Sequence, residues 1–106
     1  MKEQSLFLEY VGESPRMKVL QYLIEGRNFD YTLTDILNSG VSWGTLNILI
    51  PKLLELGIIV KTRKIGRATL YRINPRNELA KMFIALYDKI ILQQLDKMEQ
   101  KMQVPA

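Results

Sequence analysis

The side chains best suited to chemistry in this chain lie at the start of one amphipathic segment, residues 42–56. Leu46, Ile50 and Leu53 recur there at helical spacing and predict a buried face. The side chains beside that face can exchange hydrogen bonds, stack on rings or contact methyl groups, and the first two turns carry no charge. The candidates for binding are Ser42, Trp43, Thr45, Asn47 and Ile48.

Positive charge is concentrated in the segment that follows. Residues 52–76 contain seven basic residues and one acidic residue, a formal charge of +6, whereas the whole chain carries +4. Such concentration is typical of a surface that binds nucleic acid, and a basic hairpin that is merely solvated is the alternative. The candidates for phosphate contact are Lys52, Lys61, Arg63, Lys64 and Arg67.

The chain contains neither Cys nor His, which excludes disulfides, thiolate nucleophiles and imidazole bases or metal ligands. A Gly-rich phosphate loop and a nucleophile elbow are also missing from the sequence. Asp30, Asp35 and Glu55 have no spacing for paired acid–base work and are expected to cap helices or face solvent. We therefore expect a protein that is not an enzyme and that has no metal or cofactor.

The 106 residues, 47% hydrophobic and 25% charged, suit one globular domain with a modest core. No apolar run approaches the roughly 18–20 residues that a membrane span needs. The N-terminus carries two acidic residues and shows no signal-peptide cleavage pattern. A cytoplasmic protein without a membrane partner is the expectation.

Two helices joined by a tight turn position the binding candidates. Leu33, Ile36 and Leu37 predict a short helix opened by Thr32 or Thr34, and Asn38-Ser39-Gly40 ends it. An earlier helix begins at Ser14-Pro15 and ends at Gly26. Tyr31, between these helices, is expected to close the core, with a contact to a bound nucleic acid as the alternative.

Ser42 is the predicted N-cap of the next helix, which ends at Gly57. Together with the short helix it makes the helix-turn-helix pattern, whose second helix can enter a DNA major groove. Pro51 lies inside this helix and either produces a tolerated kink or sets the angle at which residues 42–48 meet the groove. Trp43 lies off the buried face, where it can stack on DNA or cover a neighbouring apolar patch.

A β-hairpin follows the helix-turn-helix. Residues 58–64 and 68–73 read as two strands, with a turn at Ile65-Gly66. Asn74-Pro75 closes the second strand. The expected fold is therefore mostly α with a small β-hairpin (α+β).

Both ends of the chain are predicted to be helical. Residues 1–12 form a short amphipathic helix, and a long helix runs from Arg76 to about Met102, leaving a frayed tail at 103–106. One apolar stripe of the long helix can pack on its own domain, while the other either contacts a second copy or is covered by the N-terminal helix. We expect residues 1–75 to form one domain and 76–106 a dimerisation segment. The expected dimer contacts are Leu79, Phe83, Tyr87, Ile91, Leu95 and Met98.

The segments SPRMKVLQYLI, FDYTLTDI, SGVSWGTLNILIPKLLELGIIV and RKIGRATLYRIN follow one another in an order that resembles a known family. They are similar to winged helix-turn-helix transcriptional regulators of the ArsR/MarR/PadR-like kind, and most of all to small archaeal members. The resemblance covers about residues 14–75. It implies a winged helix-turn-helix fold with a C-terminal dimerisation helix, and a homodimer that binds specific double-stranded DNA. The recognition helix would lie in the major groove and the basic wing on the backbone or minor groove.

Two departures from the family pattern bear on function. The second helix looks one residue short, and the recognition helix has no Lys or Arg in its first two turns, so the commonest contact to guanine is missing. Asn47 is then expected to contact adenine, Thr45 a thymine methyl and Ser42 a phosphate. The alternative function is an architectural DNA-coating or protein-interaction module without operator specificity. A small apolar effector near Tyr10, Tyr87 and Ile91 is compatible with the sequence, but no motif supports it.

Overall fold

The computed structural model describes residues 5–102, which form five α-helices and one two-stranded sheet. Three parts of the chain lie outside the described residues: the first four residues of the predicted N-terminal helix, the predicted tail 103–106 and the side chain of Met102. Within residues 5–102, no helix is both long enough and apolar enough to cross a membrane. In chain order the elements are α1 (Leu6–Val11), α2 (Pro15–Glu25), α3 (Leu33–Ile36), a 3₁₀ turn (Leu37–Ser39), α4 (Trp43–Glu55), β1 (Ile59–Ile65), β2 (Ala68–Ile73) and α5 (Glu78–Met102).

Side-chain caps start α2, α3 and α4 as the sequence predicts, whereas α5 begins at Glu78, two residues later than predicted. The Ser14 hydroxyl accepts a hydrogen bond from the Met17 amide at 3.2 Å, so that Pro15 is the first helical residue of α2. Thr32 and Asp35 form a reciprocal capping box at α3. The second helix is short, as expected, because α3 has four residues and gives way to the 3₁₀ turn.

The β1–β2 hairpin, called the wing below, is antiparallel and pairs Ile65 with Ala68. Its turn is Gly66-Arg67 rather than Ile65-Gly66, and β1 begins and ends one residue later than predicted. Gly66 has a φ of 62°, the left-handed value that a type II′ turn needs at its first central residue. That backbone preference places the turn, and periodicity alone did not reveal it.

Tyr31 forms an isolated antiparallel bridge to the wing at Tyr71. Its amide donates to the Tyr71 carbonyl at 2.8 Å, and the Tyr71 amide donates back at 2.7 Å. The Tyr31 ring packs edge-on against Tyr22 with centroids 5.1 Å apart. Tyr31 therefore closes the core between helix and sheet, as the favoured interpretation expected.

One hydrophobic core joins the helices and the wing. Ala80 and Ile90 of α5 are buried in it, and Phe7 of α1 packs against Tyr87 with ring centroids 5.5 Å apart. Helix α1 thus covers part of α5 at Tyr87, as the alternative interpretation of the second apolar stripe expected. Other fully buried members come from α2, α3, α4 and the strands, and include Leu20, Leu23, Ile24, Ile36, Leu46, Leu53, Ile59 and Ile73.

Helix α5 leaves the domain after its first half. From Leu92 to Lys101 every side chain is exposed, whereas Phe83, Ile84 and Tyr87 lie against the core. The face packed on the core takes residues from both apolar stripes that the sequence predicts. Ile90 belongs to one stripe (Leu79, Phe83, Leu86, Ile90) and Tyr87 to the other (Tyr87, Ile91, Leu95, Met98, Met102). The C-terminal half of α5 projects with apolar side chains that no other described element covers.

Candidate nucleic-acid interface

Helix α4 presents a largely uncharged face to solvent. Leu46 and Ile50 are buried, and Ile48 lies about 200° around the helix from each of them, at 100° per residue. Ile48 is 75% exposed. The helix continues through Pro51 to Glu55, so Pro51 does not end it. We call Trp43, Gly44, Asn47 and Ile48 the reading face.

Two of the five candidates on α4 are engaged in the cap at its start. The Ser42 hydroxyl accepts a hydrogen bond from the Thr45 amide at 3.1 Å and donates to the Thr45 hydroxyl at 2.8 Å. Ser42 is the predicted N-cap. The remaining candidates, Trp43, Asn47 and Ile48, are exposed.

The wing lies beside the reading face. Trp43, 49% exposed, and Arg67 line one open groove of about 290 Å³. Asn47 and Lys61 line another, of about 310 Å³, between α4 and the wing. Helix and wing thus form one continuous surface that carries both hydrogen-bonding and cationic groups.

All five predicted phosphate contacts are exposed cations, but four of them differ from the fifth in their pairing. Within residues 5–102 none of these four belongs to an ion pair, so their charge is available to a polyanion. They lie on α4, along β1 and at the turn of the wing. The four are Lys52, Lys61, Lys64 and Arg67.

Arg63 differs, because its guanidinium is held by Asp30. Its Nε lies 2.9 Å from Oδ2 and its Nη2 3.1 Å from Oδ1, a bidentate pair. The Thr62 hydroxyl donates to the same carboxylate. The strand register shifts between Lys61 and Arg63, and this bulge lets two successive side chains reach Asp30.

We call Asp30, Thr62 and Arg63 the wing clamp. It ties β1 to the segment before α3 and so fixes the wing relative to the helix-turn-helix. Sequence reasoning missed it and expected Asp30 to cap a helix or face solvent. Asp30 and Arg63 lie 33 residues apart in sequence, and the Tyr31–Tyr71 bridge and the bulge in β1 bring them together. Asp35, by contrast, caps α3 as expected.

The pKa of Asp30 falls from its ordinary 3.8 to about 2, because Arg63 and then Thr62 hydrogen-bond to its ionised form. We expect Asp30→Asn to destabilise the protein at neutral pH and to matter progressively less below about pH 4. The pKa of Asp30 is lower in the folded protein than in the unfolded chain. Its contribution to the free energy of unfolding is therefore complete above the unfolded-state pKa and disappears as the pH falls toward the folded-state pKa. Urea unfolding of the wild type and of Asp30→Asn, from about pH 7 to pH 3, measures how the difference between their free energies of unfolding decreases.

Asp96→Asn is the matched control, since Asp96 is exposed on α5 and belongs to no ion pair within residues 5–102. It should leave the unfolding curve unchanged at every pH. A stability gap for Asp30→Asn that stays constant with pH would show that the clamp's charge is unimportant.

A second polar junction holds α5 to the end of α2. Arg27 pairs with Asp88 at 2.9 Å, and the Tyr87 hydroxyl donates to Glu25 at 2.9 Å. Burial, and then the Glu25 carboxylate, raise the pKa of Tyr87 to about 12. Arg72 of β2 donates to the Arg27 carbonyl at 2.9 Å, so this junction also touches the wing.

The expected dimer contacts divide into two groups. Phe83 and Tyr87 pack on their own domain and Ile91 is half-buried, whereas Leu79, Leu95 and Met98 are exposed. Tyr87 and Ile91 border a shallow groove of about 410 Å³, which Tyr10 does not line. The residues suggested for an effector are therefore not all brought together.

Helix, helix, tight turn, exposed helix and basic hairpin together define a winged helix-turn-helix protein. Solved structures with the same fold support that class. NadR in complex with 4-hydroxyphenylacetate superposes with a TM-score of 0.64 at 13% identity, over 91% of this chain and 67% of NadR. A point mutant of S. aureus MepR bound to an oligodeoxyribonucleotide gives 0.58 at 18% identity, over 93% of this chain and 71% of MepR.

A possible transcriptional regulator from Methanosarcina mazei Go1 gives a TM-score of 0.55 at 12% identity, over 92% of this chain and 83% of that one. At these identities the likeness establishes the fold, and the winged-helix fold that the sequence resemblance implied is confirmed. No protein-family model matches the chain, and no curated protein is significantly similar to it.

Proposed function

We propose that this protein is a homodimeric, sequence-specific double-stranded DNA-binding protein that regulates transcription. The observation that carries the proposal is the surface formed by α4 and the wing. An exposed, hydrogen-bonding helix face lies directly beside four exposed cations that form no ion pair within residues 5–102. DNA presents phosphates next to base edges in the same arrangement. The solved MepR complex with an oligodeoxyribonucleotide has the same fold and supports this assignment.

In this proposal the reading face enters the major groove and supplies discrimination between bases. The wing supplies most of the salt-dependent affinity by displacing counterions from phosphates through Lys64 and Arg67. Lys52 and Lys61 neutralise phosphates on either side of the reading face. The wing clamp adds little charge, since Asp30 neutralises Arg63, and serves to hold the wing at the correct angle.

The second half of α5 supplies the dimer contact. Leu95 and Met98 are 54% and 50% exposed on a part of the helix that projects from the domain. A second copy of the same helix would bury them. A two-fold dimer then requires a palindromic site whose half-sites are about one or two helical turns apart.

Selection of preferred sites from random DNA, followed by salt titration, tests this function. Arg67→Ala and Lys64→Ala are expected to weaken binding to every sequence, and each should reduce the slope of log K against log salt by about 1 per protomer. Gel-shift titration from about 50 to 200 mM salt measures the slope.

Lys89→Ala is the control, because it removes an exposed cation from α5, far from the wing in sequence. Its slope should equal that of the wild type. Wing variants with an unchanged slope would remove the wing from the interface, and failure to select any site would argue against sequence-specific binding.

The exposed apolar residues of the reading face favour one other function, a protein-interaction or architectural module. Trp43 and Ile48 could dock on a partner protein, or the dimer could coat DNA without preference. Competition separates these functions. A specific regulator should prefer its selected site to bulk DNA by about 10³-fold or more.

A further inference from the structure

The chemistry of the reading face indicates which bases it reads. We infer that the half-site is built from A·T pairs, with a thymine methyl group packed against Ile48 and an adenine edge paired with Asn47. This inference rests on the proposed function and goes further by naming the class of DNA sequence.

Ile48 is the most solvent-directed apolar residue of α4. It faces away from the buried Leu46 and Ile50, and it is three-quarters exposed. Lys52 follows one turn later on the same side and is also exposed. Hydrogen-bonding and cationic groups surround this apolar side chain. In the major groove, the apolar group that it can contact is the C5-methyl of thymine.

Gly44 precedes Ile48 by one turn on that same side of the helix. A Cβ built on Gly44 meets no atom within 4 Å, so the protein itself has no steric need for glycine here. Glycine inside a helix is unfavourable relative to alanine. An uncovered backbone at this point lets a base edge approach closely enough for its methyl group to touch Ile48.

The reading face lacks the groups that recognise G·C pairs. Guanine is read by Arg or Lys and the cytosine amino group by a carboxylate, and residues 42–51 contain neither kind of side chain. The hydroxyls of Ser42 and Thr45 hydrogen-bond to each other at the cap. Asn47 remains, and an amide side chain pairs with two adjacent groups of adenine.

The position of Arg67 also favours a site rich in A·T pairs. It is exposed at the turn of the wing, the part that would reach the neighbouring minor groove. Runs of A·T pairs have a narrow minor groove whose negative potential attracts arginine. The flanking cations also favour DNA over an apolar protein partner as the occupant of this face.

The test replaces thymine by uracil in the selected site, which removes only the methyl group and keeps the base pairing. Wild-type protein should bind the substituted half-site roughly fourfold more weakly for each methyl group lost against Ile48. Ile48→Ala should bind the thymine site more weakly but should no longer distinguish thymine from uracil. Fluorescence anisotropy with the four protein–DNA combinations measures this coupling.

Lys52→Ala is the matched control, since it lies one turn from Ile48 and should weaken both sites by the same factor while keeping the fourfold discrimination. Equal binding of the thymine and uracil sites by the wild type, or G·C pairs in the selected half-sites, would overturn the inference while leaving specific DNA binding intact. Absence of any selected site would overturn both this inference and the proposed function.

Discussion

Leu95→Glu combined with Met98→Glu is expected to separate the proposed dimer into monomers and to lower the affinity for the selected DNA site by about 100-fold or more. Both side chains are exposed and lie on the projecting half of α5. Two like charges in an apolar helix contact cannot be buried without a large desolvation cost. Sedimentation and gel-shift titration measure the two effects separately.

The loss of affinity follows from effective concentration rather than from any damaged DNA contact. In a dimer, binding of one reading face holds the second near its half-site at an effective concentration of about millimolar. The variant's monomer keeps an intact reading face and wing, so its affinity for a single half-site should equal that of a wild-type protomer.

Gln93→Glu combined with Gln100→Glu is the matched control. It adds the same charge to the same exposed stretch of α5, and Gln93 lies about 200° around the helix from Leu95. This variant should remain dimeric. If it dissociates as well, the charge and not the apolar contact is responsible, and if neither variant dissociates, the dimer must form through another surface.

Local signals in the sequence were sufficient for most of the fold. Ser14, Thr32 and Ser42 cap helices where their side chains predict it, because an N-cap depends on atoms within three residues. The wing was recognisable from its alternation, although its turn required the backbone preference of Gly66. The order of these elements then carried the resemblance, which implied the winged helix-turn-helix fold.

Local sequence signals did not predict the contacts between segments that are distant in sequence. The wing clamp joins residues 33 positions apart through a bulge that no periodicity signals. The buried face of α5 mixes both apolar stripes, since a helix apolar on several sides does not reveal which side its own domain covers. Five candidate side chains were predicted on α4; the hydrogen bonds of the Ser42 cap engage two of them, and the structure adds Gly44 to the remaining three.

Gly26→Ala is expected to destabilise the protein by about 1–3 kcal/mol, which lowers Tm by roughly 5–20 °C in a domain of this size. The cause is space and not backbone conformation, because Gly26 has a φ of −101° that alanine also adopts. A Cβ there would overlap the Tyr31 hydroxyl oxygen and lie 2.6 Å from Cζ and 2.8 Å from Cε2. Thermal and urea unfolding measure the loss.

The Tyr31 ring cannot simply move away. Two backbone hydrogen bonds hold Tyr31 to Tyr71, and the ring packs against Tyr22. Gly44→Ala is the control, since it makes the same change in open space and should raise stability by up to about 1 kcal/mol. Gly26 is therefore required because it leaves room for the ring of Tyr31, whose backbone is bridged to the wing at Tyr71.

Tyr31→Phe makes this explanation testable, because it removes the oxygen that an alanine at position 26 would overlap. The double variant should lose less stability than the sum of the two single variants, although the ring carbons keep part of the strain. Strictly additive losses would place the defect at the end of α2 instead. A smaller combined loss would show that the glycine at the end of α2 makes room for the Tyr31 ring, whose backbone is hydrogen-bonded to Tyr71 of the wing.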